Sequence, residues 1–407
     1  MTYAPLRRIG AALIYRDFRV LWLGALTSSV GTWMQKVAQN WLVLSLAGAS
    51  PALFLGLDSF LGDLPILILT LVGGVVADRY DRRRLLIGAQ SIQMAAAFTL
   101  AVLVAFDVVR LWHVLLLSSM TGFGQAFGGP AYQSLLPSLV DKPDLPNAVA
   151  LNSIQFNLAR VIGPLIAGVT LTAFGMVACF GINGLSFLAV IAAIASLRTR
   201  HVAVAAGARM RDDLHSGLVY VRRQPALVGL TVLALATAFL GAPLLTFLPL
   251  FAEQVFGGGV GQYTLLMVFA GAGAVTGAFA VAWLGTTPRM GRTLLWLQVA
   301  YGLLVFLFGM SRLFWLSAAL LVLAGAAMVM VTSTLLSLVQ MAAPTAMRGR
   351  IVSIYMVALR GGLPLGSLVA GLVASRWSAP AVMIGNGLLL SLIAVLLLMT
   401  GQRVRDL

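Results

Sequence analysis

The sequence predicts an all-α integral membrane protein, with twelve transmembrane helices arranged as two pseudo-symmetric six-helix bundles. Three observations carry this. First, 60% of the 407 residues are hydrophobic and only 10% are charged, whereas a soluble domain carries about 25% charged residues. No aqueous core hides that much apolar surface, so the surrounding medium is lipid. Second, twelve apolar runs succeed one another, over 18–46, 52–76, 84–106, 110–137, 146–173, 176–197, 226–254, 261–284, 292–310, 314–341, 349–374 and 379–400. Each is long enough for a hydrocarbon core, which takes about 20 helical residues. Third, the halves repeat. Gly122 and Gly325 are 203 positions apart, as are Gly163 and Gly366, Ala167 and Ala370, Gly168 and Gly371, Asn183 and Asn386, and Gly184 and Gly387. Parallel repeats of this kind build transporters whose substrate site lies between the halves.

The chain opens on a polar segment from Arg7 and Arg8 to Arg19. Run 1 is too long and too polar for a signal peptide and lacks a small-x-small cleavage site, so it is expected to remain as the first helix. It carries Gln35, Lys36, Gln39 and Asn40, with Lys36 about 15 Å deep. Run 2 carries Asp58 at roughly 9 Å and Asp63 at about 16 Å. A charge at the bilayer centre costs at least about 2.5–3.5 kcal/mol, so each faces a partner or a cavity. Successive antiparallel helices often adjoin, which makes Lys36 and Asp63 a candidate pair. Gln125 and Gln133 lie in run 4, Asn152, Gln155 and Arg160 in run 5, and Arg360 in run 11. Each half thus offers an arginine near the midplane.

Two readings compete for these groups. In the functional one, Asp58 or Asp63 takes and releases a coupling proton beside Lys36, and the arginines attract substrate. Burial favours a neutral carboxyl and a nearby cation opposes that shift. In the structural one, Asp63 and Lys36 form a packed ion pair and the arginines bond to carbonyls. Three embedded cations against two acids favour an anionic or polar small molecule over a cationic drug.

A net charge of +15 invites a nucleic-acid partner, but the arginines form no basic face. Of the 27 lysines and arginines, all but Lys36, Arg110, Arg160, Arg312, Arg360 and Arg376 fall on the side of the N-terminus. The positive-inside rule then places both termini in the cytoplasm. The connector 198–225 divides the chain into bundles over 1–197 and 226–407. Within it, Asp212 and Asp213 precede Leu214, Leu218 and Val221, and Arg222 and Arg223 follow. That pattern fits either a short amphipathic helix on the membrane surface or a charged linker that orders only against lipid.

Chemistry at a cofactor is not expected. Cys179 is a lone cysteine, and His113, His201 and His215 are scattered without metal spacing. Gly271, Gly273 and Gly277 lie inside an apolar run rather than after a strand, and no Walker lysine motif is present. No acid/base or nucleophile set converges, so the chain is not read as an enzyme.

Several stretches carry a family resemblance. After run 2 the chain reads Gly73-Gly74-Val75-Val76-Ala77-Asp78-Arg79-Tyr80-Asp81-Arg82-Arg83-Arg84. This resembles the G-x-x-x-D-R-x-G-R-R motif of the major facilitator superfamily, with Asp81 in place of the usual glycine. A degenerate copy, Arg289-Met290-Gly291-Arg292, follows run 8 with Pro288 at the acidic position. Gly74 is expected to permit close helix contact, and Arg79, Arg82 and Arg83 to bridge neighbouring helix ends. The resemblance implies a gating latch in which Asp78 faces the start of run 11 near Arg350. Gly163-Pro164-Leu165-Ile166-Ala167-Gly168 looks like the antiporter motif of that superfamily, which favours export. Gly31-Thr32-Trp33-Met34-Gln35 and Gly217-Leu218-Val219-Tyr220-Val221-Arg222-Arg223 are similar to the branch holding enterobactin and macrolide exporters. The resemblance implies the major facilitator fold and a proton-driven exporter of siderophores or drugs. It also implies a monomer in the bacterial cytoplasmic membrane. Rival readings are an uptake symporter, a lipid translocator, or a non-transporting sensor or scaffold.

Overall fold

The computed structural model describes residues 10–198, 210–285, 289–345, 347–400 and 402–405. Among them there is no strand. The long helices are α1 (Arg16–Leu46), α2 (Pro51–Arg79), α3 (Arg82–Ala105), α4 (Leu111–Leu135), α5 (Leu145–Ala195), α6 (Met210–Arg223), α7 (Pro225–Gly241), α8 (Val260–Leu284), α9 (Met290–Met310), α10 (Phe314–Ala342), α11 (Arg348–Arg376) and α12 (Ala379–Thr400). Short helical turns over Pro243–Thr246, Leu248–Leu250 and Phe251–Val255 prolong α7. Each apolar run of the sequence lies on one of these stretches. By length and composition, nine helical stretches among the described residues are able to cross a membrane. One of the nine, Lys142–Ala195, is long enough for two crossings at about 1.5 Å per residue.

The break that divides α5 is at Gly175, whose φ of 76° and ψ of −175° fall in a region open essentially to glycine alone. It separates the fifth apolar run from the sixth. Four of the five exposed tryptophans, Trp112, Trp283, Trp315 and Trp377, sit at or next to helix ends, where an amphipathic ring suits a membrane–water boundary.

The chain forms two compact units. The first comprises Met1–Leu46 and Leu61–Ala206, the second Ala47–Phe60 and Gly207–Leu407. The N-terminal part of α2 belongs with the second because Gly56 lies against the Ser367 carbonyl and Gly371 of α11.

Inside each unit the repeat has a geometric counterpart. Gly122 of α4 meets the Gly62 carbonyl of α2, and Gly325 of α10 meets the Ala270 carbonyl of α8. Gly163 of α5 packs on Val30 and Trp33 of α1, as Gly366 of α11 packs on Phe239 of α7. The Asn183 amide donates to Gln35 of α1 at 2.6 Å, and the Asn386 amide to the Leu240 carbonyl of α7 at 2.9 Å. Gly184 packs on α3 through Phe98, and Gly387 on α9 through Gly302 and Phe306. Repeat-related residues therefore touch repeat-related helices. Small residues dominate these contacts because helices in lipid associate by close packing rather than by apolar burial.

The connector holds α6. Its Ser216 hydroxyl accepts from Arg350 of α11 at 3.0 Å, and Val221 is buried. Leu218, expected on the same apolar stripe, stays exposed. The side chains of Leu214, Asp212 and Asp213 lie outside the described residues.

At the arginine-rich end of the first unit, the Tyr15 hydroxyl donates to Asp144 at 2.8 Å and to Asp141 at 3.0 Å. These carboxylates, Asp144 foremost, with some burial, push the phenol from its usual 10.0 up to about 12. The link is complete below pH 10 and is lost as pH rises through the raised value. In a 295 nm difference titration against Tyr15→Phe, the phenol is expected to ionise near 12; ionisation near 10 would dismiss the contact.

Candidate functional site

The polar residues of the first unit are gathered between α1, α4 and α5. Helical spacing puts Gln35 and Gln39 one turn apart on α1. Gln35, 9% exposed, accepts from Asn183 of α5; Gln39, 8% exposed, donates to the Ser118 hydroxyl of α4 at 2.7 Å. Toward the arginine-rich end, the Gln155 amide donates to the Ser29 hydroxyl at 2.7 Å and to the Ala25 carbonyl at 3.1 Å. Tyr132 donates to Asn152 at 2.9 Å. A buried amide left unpaired in lipid is costly, so each of these bonds holds a helix pair in register.

The charges are distributed unevenly. Lys36 and Asp63 are half-buried, whereas Asp58 is 1% exposed. Arg160 is half-buried with its guanidinium carbon 5.5 Å from the centre of the Trp33 ring, a cation–π geometry. Phe156 meets the same ring edge-on at 6.3 Å. Arg360, which the sequence pairs loosely with Arg160, is exposed, as are Gln125 and Gln133. The tightest helix contacts join α1 to α5 and α2 to α4, not successive helices. Asn183, Ser118 and Trp33 complete the layer without standing out as site residues in the sequence. The signal available was Asn183 recurring as Asn386 at the repeat offset.

The arginine cluster after α2 acts on helix ends. Arg82 donates to the Ser134 carbonyl at 2.8 Å near the end of α4, and to the Ala77 carbonyl at 3.3 Å. Arg83 donates to the Ala195 carbonyl at 2.7 Å, the last residue of α5. Guanidinium groups there satisfy orphan carbonyls and complement the negative end of the helix dipole. Arg79 is exposed in the last turn of α2. Asp81, which departs from the usual glycine, caps α3 by accepting from the Arg83 and Arg84 amides at 2.8 and 3.3 Å.

The close helix contact expected of Gly74 falls to Gly73 instead. A Cβ on Gly74 would meet nothing within 4 Å, whereas on Gly73 it would overlap the Ala126 carbonyl of α4. One residue turns the helix by about 100°, so only one of two adjacent glycines can face α4. The Asp78 side chain, and with it the expected approach to Arg350, lies outside the described residues. In the antiporter-like stretch, Gly163 and Pro164 are buried and Gly168 is half-buried.

Comparison with known proteins shows the family and the fold. The profile of a family described as transmembrane secretion effector matches residues 2–406. The staphyloferrin A transporter of Staphylococcus aureus is 25% identical over 363 residues, covering 85% of this chain and 86% of the relative. The enterobactin exporter of Shigella boydii is 24% identical over 399 residues, covering 97% and 92%. Among solved structures, an inward-facing, unoccupied bacterial homologue of the human lysosomal transporter Spinster superposes with a TM-score of 0.74. It is 14% identical and covers 96% of this chain and 97% of its own, a likeness of fold.

Proposed function

Because this chain belongs to the transmembrane secretion effector family of the major facilitator superfamily, we propose that it is a proton-coupled exporter. It works by alternating access as an antiporter of small polar or anionic molecules, siderophores foremost. It resides in a bacterial cytoplasmic membrane with both termini in the cytoplasm, functions as a monomer and needs no cofactor. The observation that carries the reading is the set of half-buried charges, Lys36, Asp63 and Arg160, held among apolar helices with Gln35, Gln39 and Gln155. Charge kept inside a membrane protein at such cost marks an ion or substrate path. In this reading Arg160 attracts an anionic substrate, and Asp63 exchanges the proton. The Arg82 and Arg83 contacts hold the cytoplasmic end of the first half.

Everted vesicles test the proposal. With a proton gradient, acid inside, they are expected to accumulate a catecholate siderophore, and a protonophore is expected to abolish the accumulation. Persistence after collapse, with no other ion gradient imposed, would overturn proton coupling. Accumulation in right-side-out vesicles instead would make the chain an uptake carrier.

A further inference from the structure

The second arginine cluster is used differently from the first. Arg82 and Arg83 donate to helix-terminal carbonyls. In the degenerate copy, Arg289 and Arg292 make no side-chain hydrogen bond or ion pair among the described residues, and they line an open groove with Arg405. The groove occupies about 570 Å³ between the start of α9 and the end of α12. Its other wall is apolar: Trp296, Leu398 and Met399, with Trp296 and Met399 exposed. Among the described residues, no acidic side chain lines it. Arg289 holds a left-handed backbone (φ 61°, ψ 49°) as it enters α9, a conformation glycine would adopt without strain.

We propose that this groove seats an anionic phospholipid. Its phosphate lies among Arg289, Arg292 and Arg405, and its acyl chains run along Trp296, Leu398 and Met399. Guanidinium forks match phosphate oxygens better than any other side chain does. Basic pockets between membrane helices bind anionic headgroups for this reason. A soluble anion would use the arginines but gains nothing from the exposed apolar wall, whereas a lipid uses both. The site is independent of the exporter reading, because it lies within the second unit alone and involves none of the charges assigned to transport.

Tryptophan quenching by brominated acyl chains tests it. The full chain and its Trp296→Phe variant are placed in phosphatidylcholine nanodiscs. These contain a minor fraction of brominated phosphatidylglycerol or, at equal fraction, brominated phosphatidylcholine. The difference between the two proteins isolates Trp296. Phosphatidylglycerol is expected to quench it more strongly. Removing Arg289 and Arg292 as glutamines is expected to lower that preference roughly five-fold per arginine, while the Lys/Lys pair retains most of it. Equal quenching by the two lipids in the unaltered chain would overturn the proposal whatever the variants do. So would a preference that survives the Gln/Gln change, or one erased by millimolar inorganic phosphate, which would mark a soluble-anion site.

Discussion

Gly163→Val is expected to destabilise the first unit by about 1–3 kcal/mol or more, the range for overpacked sites. A Cβ at this position would overlap the Trp33 Cβ and stand 2.9 Å from the Val30 carbonyl oxygen and 3.1 Å from the Met34 nitrogen. Backbone atoms cannot rotate away, so α1 must move off α5. That motion would strain Gln155–Ser29, which crosses the same interface, and Gln35–Asn183, which ties α1 to the segment beyond Gly175. Gly181→Ala, beyond the Gly175 break of α5, is the control. Its Cβ would meet nothing within 4 Å, and alanine is the better helix former by about 1 kcal/mol. Thermal unfolding in nanodiscs is expected to fall for Gly163→Val and to hold or rise for Gly181→Ala. Gly73→Ala and Gly74→Ala should separate in the same way, the first losing stability and the second not. Equal midpoints across both pairs would refute the packing argument.

Asp63→Asn is expected to reduce uphill efflux to background while leaving downhill exchange of substrate intact. The amide keeps the shape and hydrogen-bonding capacity of the carboxyl but cannot carry a proton. Asp63 is half-buried, as a group that exchanges protons with solvent needs to be, whereas Asp58 is 1% exposed. Asp58→Asn is therefore expected to retain gradient-driven transport. Proteoliposomes loaded with a pH dye read both outcomes, as proton movement on addition of substrate. Uncoupling by Asp58→Asn alone would reverse the two roles, and full coupling in both variants would place the proton path elsewhere.

The members of this polar layer are legible in the sequence because polar residues in lipid-spanning runs are conspicuous. Gln35, Gln39, Asn152, Gln155 and Arg160 all stand out against apolar neighbours, and each has a polar or aromatic partner in the structure. Their partners were not legible. Which helix faces which depends on where small residues let backbones approach, and the tightest approaches skip successive helices. Arg160 and Arg360 looked alike by position, yet one lies on an aromatic ring and the other is exposed. Asp81 appeared as a flaw in a motif and is instead the cap of α3.

By itself the sequence determined the medium, the helices and the twofold repeat of the chain. Each follows from quantities summed along a run: apolar length against bilayer thickness, and residue identity at a constant offset. Tertiary structure alone decided which of Gly73 and Gly74 packs, which helix ends Arg82 and Arg83 satisfy, and that Arg289 and Arg292 open into a groove. These depend on angular position about each helix axis and on the identity of its neighbour. A single residue changes the first by about 100°, and no local pattern encodes the second.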